Sequence, residues 1–242
     1  MLYERWRRVA QDNRNELALW EPATGRRWSF GELATEAERP LPGGQKLVFA
    51  QGHSAEFVMS VLRAWRWGAV VCPLEPDQQP PAVPVPPAHC CHLKLTSAST
   101  GEPRLIAFRP AQLGADAEHI VAAMGLRPDW PNLGAVSLAH SYGFSNLVLP
   151  LLLHGIPLLL APGPLPEMVR RAAQGAPALT LAGVPALWRA WHEAGAIPPN
   201  VRLALSAGAP LPVSLEQAVY QAAGLKIHNF YGSSECGGIA YA

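Results

Sequence analysis

The 242-residue chain is poor in the residues that staple or metallate small folds. It has four cysteines, Cys72, Cys90, Cys91 and Cys236. None is spaced as C-x-x-C, so neither a disulfide framework nor a zinc site follows, and a reducing cytoplasm is the expected compartment. Net charge is almost missing as well: 19 Lys and Arg against 18 Asp and Glu leave +1. Nothing in that balance suggests nucleic acid or an anionic membrane as a partner. The first residues, Met1-Leu2-Tyr3-Glu4-Arg5-Trp6-Arg7-Arg8, lack the apolar core of a signal peptide. No repeat of solenoid period is visible. Neither G-x-G-x-x-G after the first strand nor G-x-x-x-x-G-K-[ST] is found, which argues against a Rossmann dehydrogenase and a P-loop kinase. The most apolar run, 143–161, is interrupted by Asn146, Pro150, His154-Gly155 and Pro157. It reads as a helix, a turn and a short strand, with no membrane span.

Proline, by contrast, is abundant, at 25 residues. Much of the excess lies between Pro73 and Pro87, where no helix can form and extended geometry is favoured. The expected organisation is therefore a first α/β portion over 1–75, a Pro-rich surface connector over 76–91 and a second α/β portion over 92–242. Residues 2–11 read as a helix, and 17–20 and 26–29 as two short strands. Ser29 and Glu32 have capping-box spacing, which predicts a helix from Phe30. Residues 46–51, a helix capped by Ser54, and 69–72 form a strand-helix-strand unit, which implies a parallel pair. His92-Leu93-Lys94-Leu95 and Leu105-Ile106-Ala107-Phe108 read as strands joined by a hairpin-like loop. Further strands are expected at 134–138, 158–160, 178–181, 201–206 and 225–230. They alternate with helices at 110–125, 143–154, 164–174, 184–194 and 212–223. That alternation means α/β, with largely parallel sheets flanked by helices.

Four blocks stand out as candidates for chemistry. Thr96-Ser97-Ala98-Ser99-Thr100-Gly101-Glu102-Pro103-Arg104 puts hydroxyls and a glycine into one turn, a composition that can wrap an anion with several donors, though it is also that of an ordinary surface turn. His140-Ser141-Tyr142-Gly143, Ser206-Ala207-Gly208-Ala209-Pro210-Leu211 and Asn229-Phe230-Tyr231-Gly232-Ser233-Ser234-Glu235 each follow or end an expected strand. In an open parallel sheet, ligands bind beyond the carboxyl ends of the strands. Taken singly, each residue also has a plainer reading: a hydrogen-bonded histidine, a solvated glutamate, a strand tyrosine.

In this order the blocks resemble those of the adenylate-forming enzymes (acyl-CoA synthetases, adenylation domains, luciferases): T-S-G-S-T-G-x-P-K, H-x-x-G, G-G-A-P-L and Y-G-x-T-E. The likeness runs from about Glu16 to the last residue, with a gap around 76–91. It implies the N-terminal domain fold of that superfamily and an AMP-forming ligase that activates a small carboxylic acid with ATP and Mg²⁺. The activated acyl group would then pass to a thiol, coenzyme A or an acyl-carrier thiol. By resemblance, Thr96, Ser97, Ser99, Thr100 and Gly101 would hold the β- and γ-phosphates, with Arg104 as the cation that follows. Tyr231 would lie against the adenine, with Gly208, Ala209 and Pro210 on its other side and Asn229 and Gly232 in the same nucleotide-binding block. Ser234 would donate to the α-phosphate, Glu235 would bind Mg²⁺, and His140 would sit on the acyl side.

Two positions depart from the family's pattern: Ala98 stands where a glycine is usual, and Arg104 where a lysine is. The family also continues past the Glu235 block with a ribose-binding aspartate, a hinge and a small C-terminal domain carrying the catalytic lysine, none of which lies within these 242 residues. The expectation is therefore an N-terminal portion of such a ligase. The alternative is a non-catalytic binding or interaction module that keeps the fold.

Overall fold

A computed structural model describes residues 1–83, 85–96 and 104–242. Helix α1 (Leu2–Asp12) turns Leu2, Tyr3, Trp6 and Ala10 inward. Strands β1 (Leu17–Glu21) and β2 (Arg26–Ser29) pair as an antiparallel hairpin. Helix α2 (Phe30–Ala37) begins at the expected capping box, where Ser29 Oγ accepts the Glu32 N–H at 3.2 Å and Glu32 Oε2 accepts the Ser29 N–H at 2.7 Å. Strands β3 (Leu47–Gln51) and β4 (Val70–Leu74), joined by α3 (Ala55–Arg66), are parallel as the strand-helix-strand pattern requires.

The proline-rich segment that follows is largely exposed. It is anchored at its start by Gln51, whose Nε2 donates to the carbonyls of Glu75, Pro76 and Gln78 at 2.8–3.0 Å. It joins β4 to β5 (His92–Leu95), which continues the same sheet in parallel; β6 (Leu105–Phe108) returns antiparallel to close a four-stranded sheet ordered β3-β4-β5-β6. At the head of this hairpin the Thr96 N–H donates to Arg104 O, and the Arg104 N–H donates to Thr96 Oγ1, each at 3.0 Å.

After α4 (Pro110–Met124) come β7 (Asn132–Gly134), α5 (Ser141–Gly143), a π-helical turn (Phe144–Val148), α6 (Leu149–His154), β8 (Leu158–Leu160) and α7 (Pro166–Ala172). Next are β9 (Leu179–Gly183), α8 (Pro185–Glu193), β10 (Val201–Ser206), α9 (Val213–Ala223), β11 (Ile227–Ser233) and β12 (Gly237–Tyr241). The second sheet has eight strands, ordered β12-β11-β10-β9-β7-β8-β1-β2. Its interior pairs are parallel and only the β11–β12 and β1–β2 edges are antiparallel. One core fills the space between the two sheets, beneath α1 to α4; a second lies on the far face of the larger sheet under α7, α8 and α9.

Three segments differ from the sequence reading, each for a local reason. The strand expected at 134–138 ends at Gly134. Beyond it the chain leaves the sheet, because the Ser137 hydroxyl is captured by both Glu75 carboxylate oxygens at 2.8 Å. The helix expected at 143–154 is broken by the π-helical turn. Pro150 has no N–H to offer the carbonyl four residues back, and that carbonyl, of Asn146, accepts instead from Asn132 Nδ2 at 3.3 Å. The last expected strand runs on to Ser233 and pairs with β12, a strand whose glycines hid it from pattern reading.

The second core yields a stability prediction. Trp191 is fully buried, edge-on to Trp188 at 5.1 Å, and its indole N–H donates to Pro164 O at 2.8 Å. Trp191→Ala is expected to cost about 3–5 kcal/mol in denaturant unfolding; a loss below about 1 kcal/mol would contradict this packing.

Candidate active site

The carboxyl ends of β10 and β11 and the loop leaving β7 meet at one cavity of about 230 Å³. Its walls include His140, Ser141 and Tyr142 from one block, Ala207 and Gly208 from the second, and Gly232, Ser233 and Ser234 from the third. Ser141 Oγ lies 3.1 Å from Ser234 Oγ, a direct hydrogen bond between segments 93 residues apart. Tyr142 stacks on Phe230 with ring centroids 5.9 Å apart. Burial pushes the Tyr142 phenol well above its usual range, so it stays protonated.

His140 caps α5, and its Nδ1 accepts the Tyr142 N–H at 3.3 Å. With Nδ1 acting as acceptor, the neutral ring carries its proton on Nε2, and that N–H is what it can offer a ligand. Gly143 has an ordinary helical φ of −67°; what demands glycine there is space. A Cβ on Gly143 would overlap the Ser137 carbonyl oxygen. The H-x-x-G spacing thus has a steric cause: the loop after β7 crosses directly over the start of α5. Gly208, at φ +83°, needs glycine for the other reason, its left-handed backbone.

The remaining candidates fall around this centre in different ways. Tyr231 is 64% exposed on β11, and Ala209, Pro210, Asn229 and Glu235 are exposed as well. Asn229 spends its backbone N–H and C=O on Ala242, at 2.9 and 3.0 Å. Thr96 and Arg104 close the head of the β5–β6 hairpin on the smaller sheet. Ser97, Ser99, Thr100 and Gly101 lie outside the described residues. Among the described residues Glu235 makes no ion pair. An exposed carboxylate next to a phosphate-sized cleft suits a hard cation that takes its other ligands from phosphate oxygens.

Pattern reading missed several wall residues. Ser145 and Asn146, on the π-helical turn, line the cavity, as do Gly237 and Gly238 at the start of β12. The Gly237-Gly238 doublet was the available signal, since paired glycines mark close backbone approach. Lys94 is only 4% exposed, and its ammonium lies 3.4 Å from Ser145 Oγ and 4.7 Å from the centre of the Phe108 ring. Burial lowers its pKa, partly offset by the Asp116 carboxylate. Its neighbour on the same strand face, His92, is held neutral by burial and by the Lys94 charge, and its ring packs against Phe144 at 4.3 Å.

A parallel α/β sheet with hydroxyls, glycines and a histidine gathered at its carboxyl edge defines a nucleotide-site class. Residues 75–242 match the family of AMP-binding enzymes, and the chain belongs to that family. It is 29% identical to a feruloyl-CoA synthase of an Amycolatopsis species over 165 residues, 66% of this chain and 33% of that protein. To a 4-coumarate–CoA ligase of Rhodobacter capsulatus it is 35% identical over 147 residues, 60% of this chain and 37% of that protein. The chain thus spans about a third of the length of these curated relatives. Its fold is that of the N-terminal domain of FACL13 from Mycobacterium tuberculosis, with a TM-score of 0.85, 17% identity and coverage of 99% of this chain and 78% of that one. ATP-bound MatB from Rhodopseudomonas palustris superposes with a TM-score of 0.81 at 18% identity, covering 100% of this chain and 62% of that one. No helix among the described residues is long and apolar enough to cross a membrane.

The steric reading of Gly143 is testable. Gly143→Ala should push the loop after β7 away from α5 and cost about 2 kcal/mol or more in stability. The control Gly114→Ala, where a Cβ on helix α4 meets open space, should be neutral or stabilising by about 1 kcal/mol. Equal effects in thermal unfolding would refute the crowding at Gly143.

Proposed function

We propose that this chain is the nucleotide- and acyl-binding portion of an AMP-forming carboxylate ligase of the acyl-CoA synthetase type. A carboxylate oxygen of the acid attacks the α-phosphorus of ATP, the bond to the bridging oxygen breaks, and pyrophosphate leaves. In the second step a thiolate, of coenzyme A or a carrier protein, attacks the acyl carbon and expels AMP. The observation that carries this reading is the convergence of His140–Tyr142, Ala207-Gly208 and Gly232–Ser234 on one cavity, locked by the Ser141–Ser234 hydrogen bond.

Each of these residues has a task its geometry supports. Because Ser141 donates to Ser234 Oγ, the Ser234 proton is left to donate to an α-phosphate oxygen, where charge builds as the phosphorus is attacked. The Nε2–H of His140, fixed by the Tyr142 amide at Nδ1, suits an acyl carboxylate entering the cavity. Tyr231 offers an exposed aromatic face to the adenine, with Gly208-Ala209-Pro210 opposite. Ser97, Ser99, Thr100 and Gly101, with Thr96 and Arg104 at their flanks, would hold the polyphosphate as the family motif implies, and Asn229 and Gly232 would complete the nucleotide side. Glu235 would hold Mg²⁺, which when bound neutralises phosphate oxygens. Catalysis here is mainly positioning and charge stabilisation.

The Tyr142–Phe230 stack in the wall of this cavity favours a flat acyl group over a long flexible chain. Relatives named for feruloyl and 4-coumarate substrates agree with that preference. A cytoplasmic setting suits four unpaired cysteines and a reaction that consumes ATP.

The test is ATP–pyrophosphate exchange by the full-length protein with a panel of short, aromatic and long-chain acids. Exchange should appear with a flat acid and fall about 10²-fold in Glu235→Ala. ATP binding without exchange for any acid would instead make the chain a non-catalytic nucleotide-binding module.

A further inference from the structure

Asp116, on α4, is not a wall of the cavity, yet both of its carboxylate oxygens are bonded to walls. Oδ2 accepts the Ser145 hydroxyl at 2.7 Å, and Oδ1 accepts the Gly238 N–H at 2.8 Å. Ser145 belongs to the π-helical turn and Gly238 to the start of β12, so one carboxylate bridges two segments that have no chain connection near this point. The approach is close: a Cβ on Gly237 would overlap the Asp116 carboxylate. Lys94 joins this bridge, with its ammonium 3.4 Å from Ser145 Oγ. The Ser145 hydroxyl therefore donates a short charge-assisted bond to the carboxylate, which fixes its rotamer, and receives a longer contact from the ammonium. Lys94 lies on β5 only two residues before Thr96, so the same network reaches the Thr96–Arg104 end of the β5–β6 pair.

We propose that Asp116 is a positioning residue for the acyl cavity: by tying Ser145 to Gly238 it sets the distance between two cavity walls and hence the width of acid that is activated, with Lys94 as its buried counter-charge. This selectivity rests on the ligase reading above; the tie itself does not. A buried ammonium is tolerated only near a compensating charge. Burial weakens the hold of Lys94 on its proton, and the Asp116 carboxylate partly restores it. Removing Asp116 alone strands the ammonium; removing both charges does not.

The test uses the full-length protein and the variants Asp116→Ala, Ser145→Ala, Lys94→Met and the double variant Asp116→Ala/Lys94→Met. Amide hydrogen exchange at Gly238 reads the tie without any substrate: it should accelerate at least about 10-fold in Asp116→Ala and stay unchanged in Lys94→Met. The double variant should unfold at a higher temperature than Asp116→Ala alone. In ATP–pyrophosphate exchange, Asp116→Ala and the milder Ser145→Ala should raise KM for the best acid about tenfold while leaving KM for ATP unchanged. They should also improve the relative rate with broader acids. Unchanged exchange at Gly238 overturns the tie. Accelerated exchange with KM values for acid and ATP rising together, or not at all, overturns the positioning role. A parent protein inactive with every acid refutes the ligase reading and the selectivity with it, while Gly238 exchange still decides the tie.

Discussion

The structure is organised around the burial of residues 142–153 between the two sheets. Every residue from Tyr142 to Leu153 is buried, and Phe144, Leu147, Val148, Leu149, Leu151 and Leu152 each contribute about 1.5–3 kcal/mol by leaving water. Phe144 meets Phe57 of α3 and His92 of β5 on one side, while Tyr142 meets Phe230 of β11 on the other. A segment so enclosed must satisfy its own backbone, and Pro150 prevents it from doing so as a regular helix. The π-helical turn and the Asn132–Asn146 bond are the local solution. Such turns are frequent at functional sites because they re-aim side chains within an otherwise regular helix. Here Ser145 and Asn146, the residues within the turn, form a wall of the cavity.

That burial explains why the site lies where it does. The segment begins at His140 because Ser137 is captured by Glu75 at the end of β4, which pulls the chain out of the larger sheet toward the smaller one. The smaller sheet therefore helps shape the site although its described residues supply no cavity wall. It anchors the loop through Glu75, braces Phe144 through His92, and reaches Ser145 through Lys94.

Much of this was legible from residue order. The capping box at Ser29 and Glu32, the parallel β3–α3–β4 unit and the alternation after residue 105 follow from period and punctuation, and all are present. Three blocks chosen by resemblance do share one cavity. What escaped was set by tertiary contacts. The Ser137 capture that shortens β7 depends on a carboxylate 62 residues away, and no local pattern encodes it. β12 escaped because Gly237 and Gly238 carry almost no strand propensity. Its pairing with β11 supplies what propensity does not. Lys94 and Asp116 escaped for a further reason: a charged residue within a strand or helix pattern is normally read as solvent-facing, whereas Lys94 is buried and the half-buried Asp116 turns inward to Ser145 and Gly238.

The same contrast bears on how such a site would distinguish among acids. A wall of apolar side chains discriminates weakly, since one methylene is worth only about 1–3 kcal/mol. Walls held by charge-assisted hydrogen bonds yield less, because moving them breaks directional contacts to a charged group. In this cavity the Tyr142–Phe230 stack supplies the soft surface and the Asp116–Ser145–Lys94 network the stiff one. The network joins α4, β5, the π-helical turn and β12, elements from both sheets, whereas the stack joins only two. Width is therefore fixed by the whole fold, and the chemistry lining it can vary locally without disturbing that dimension.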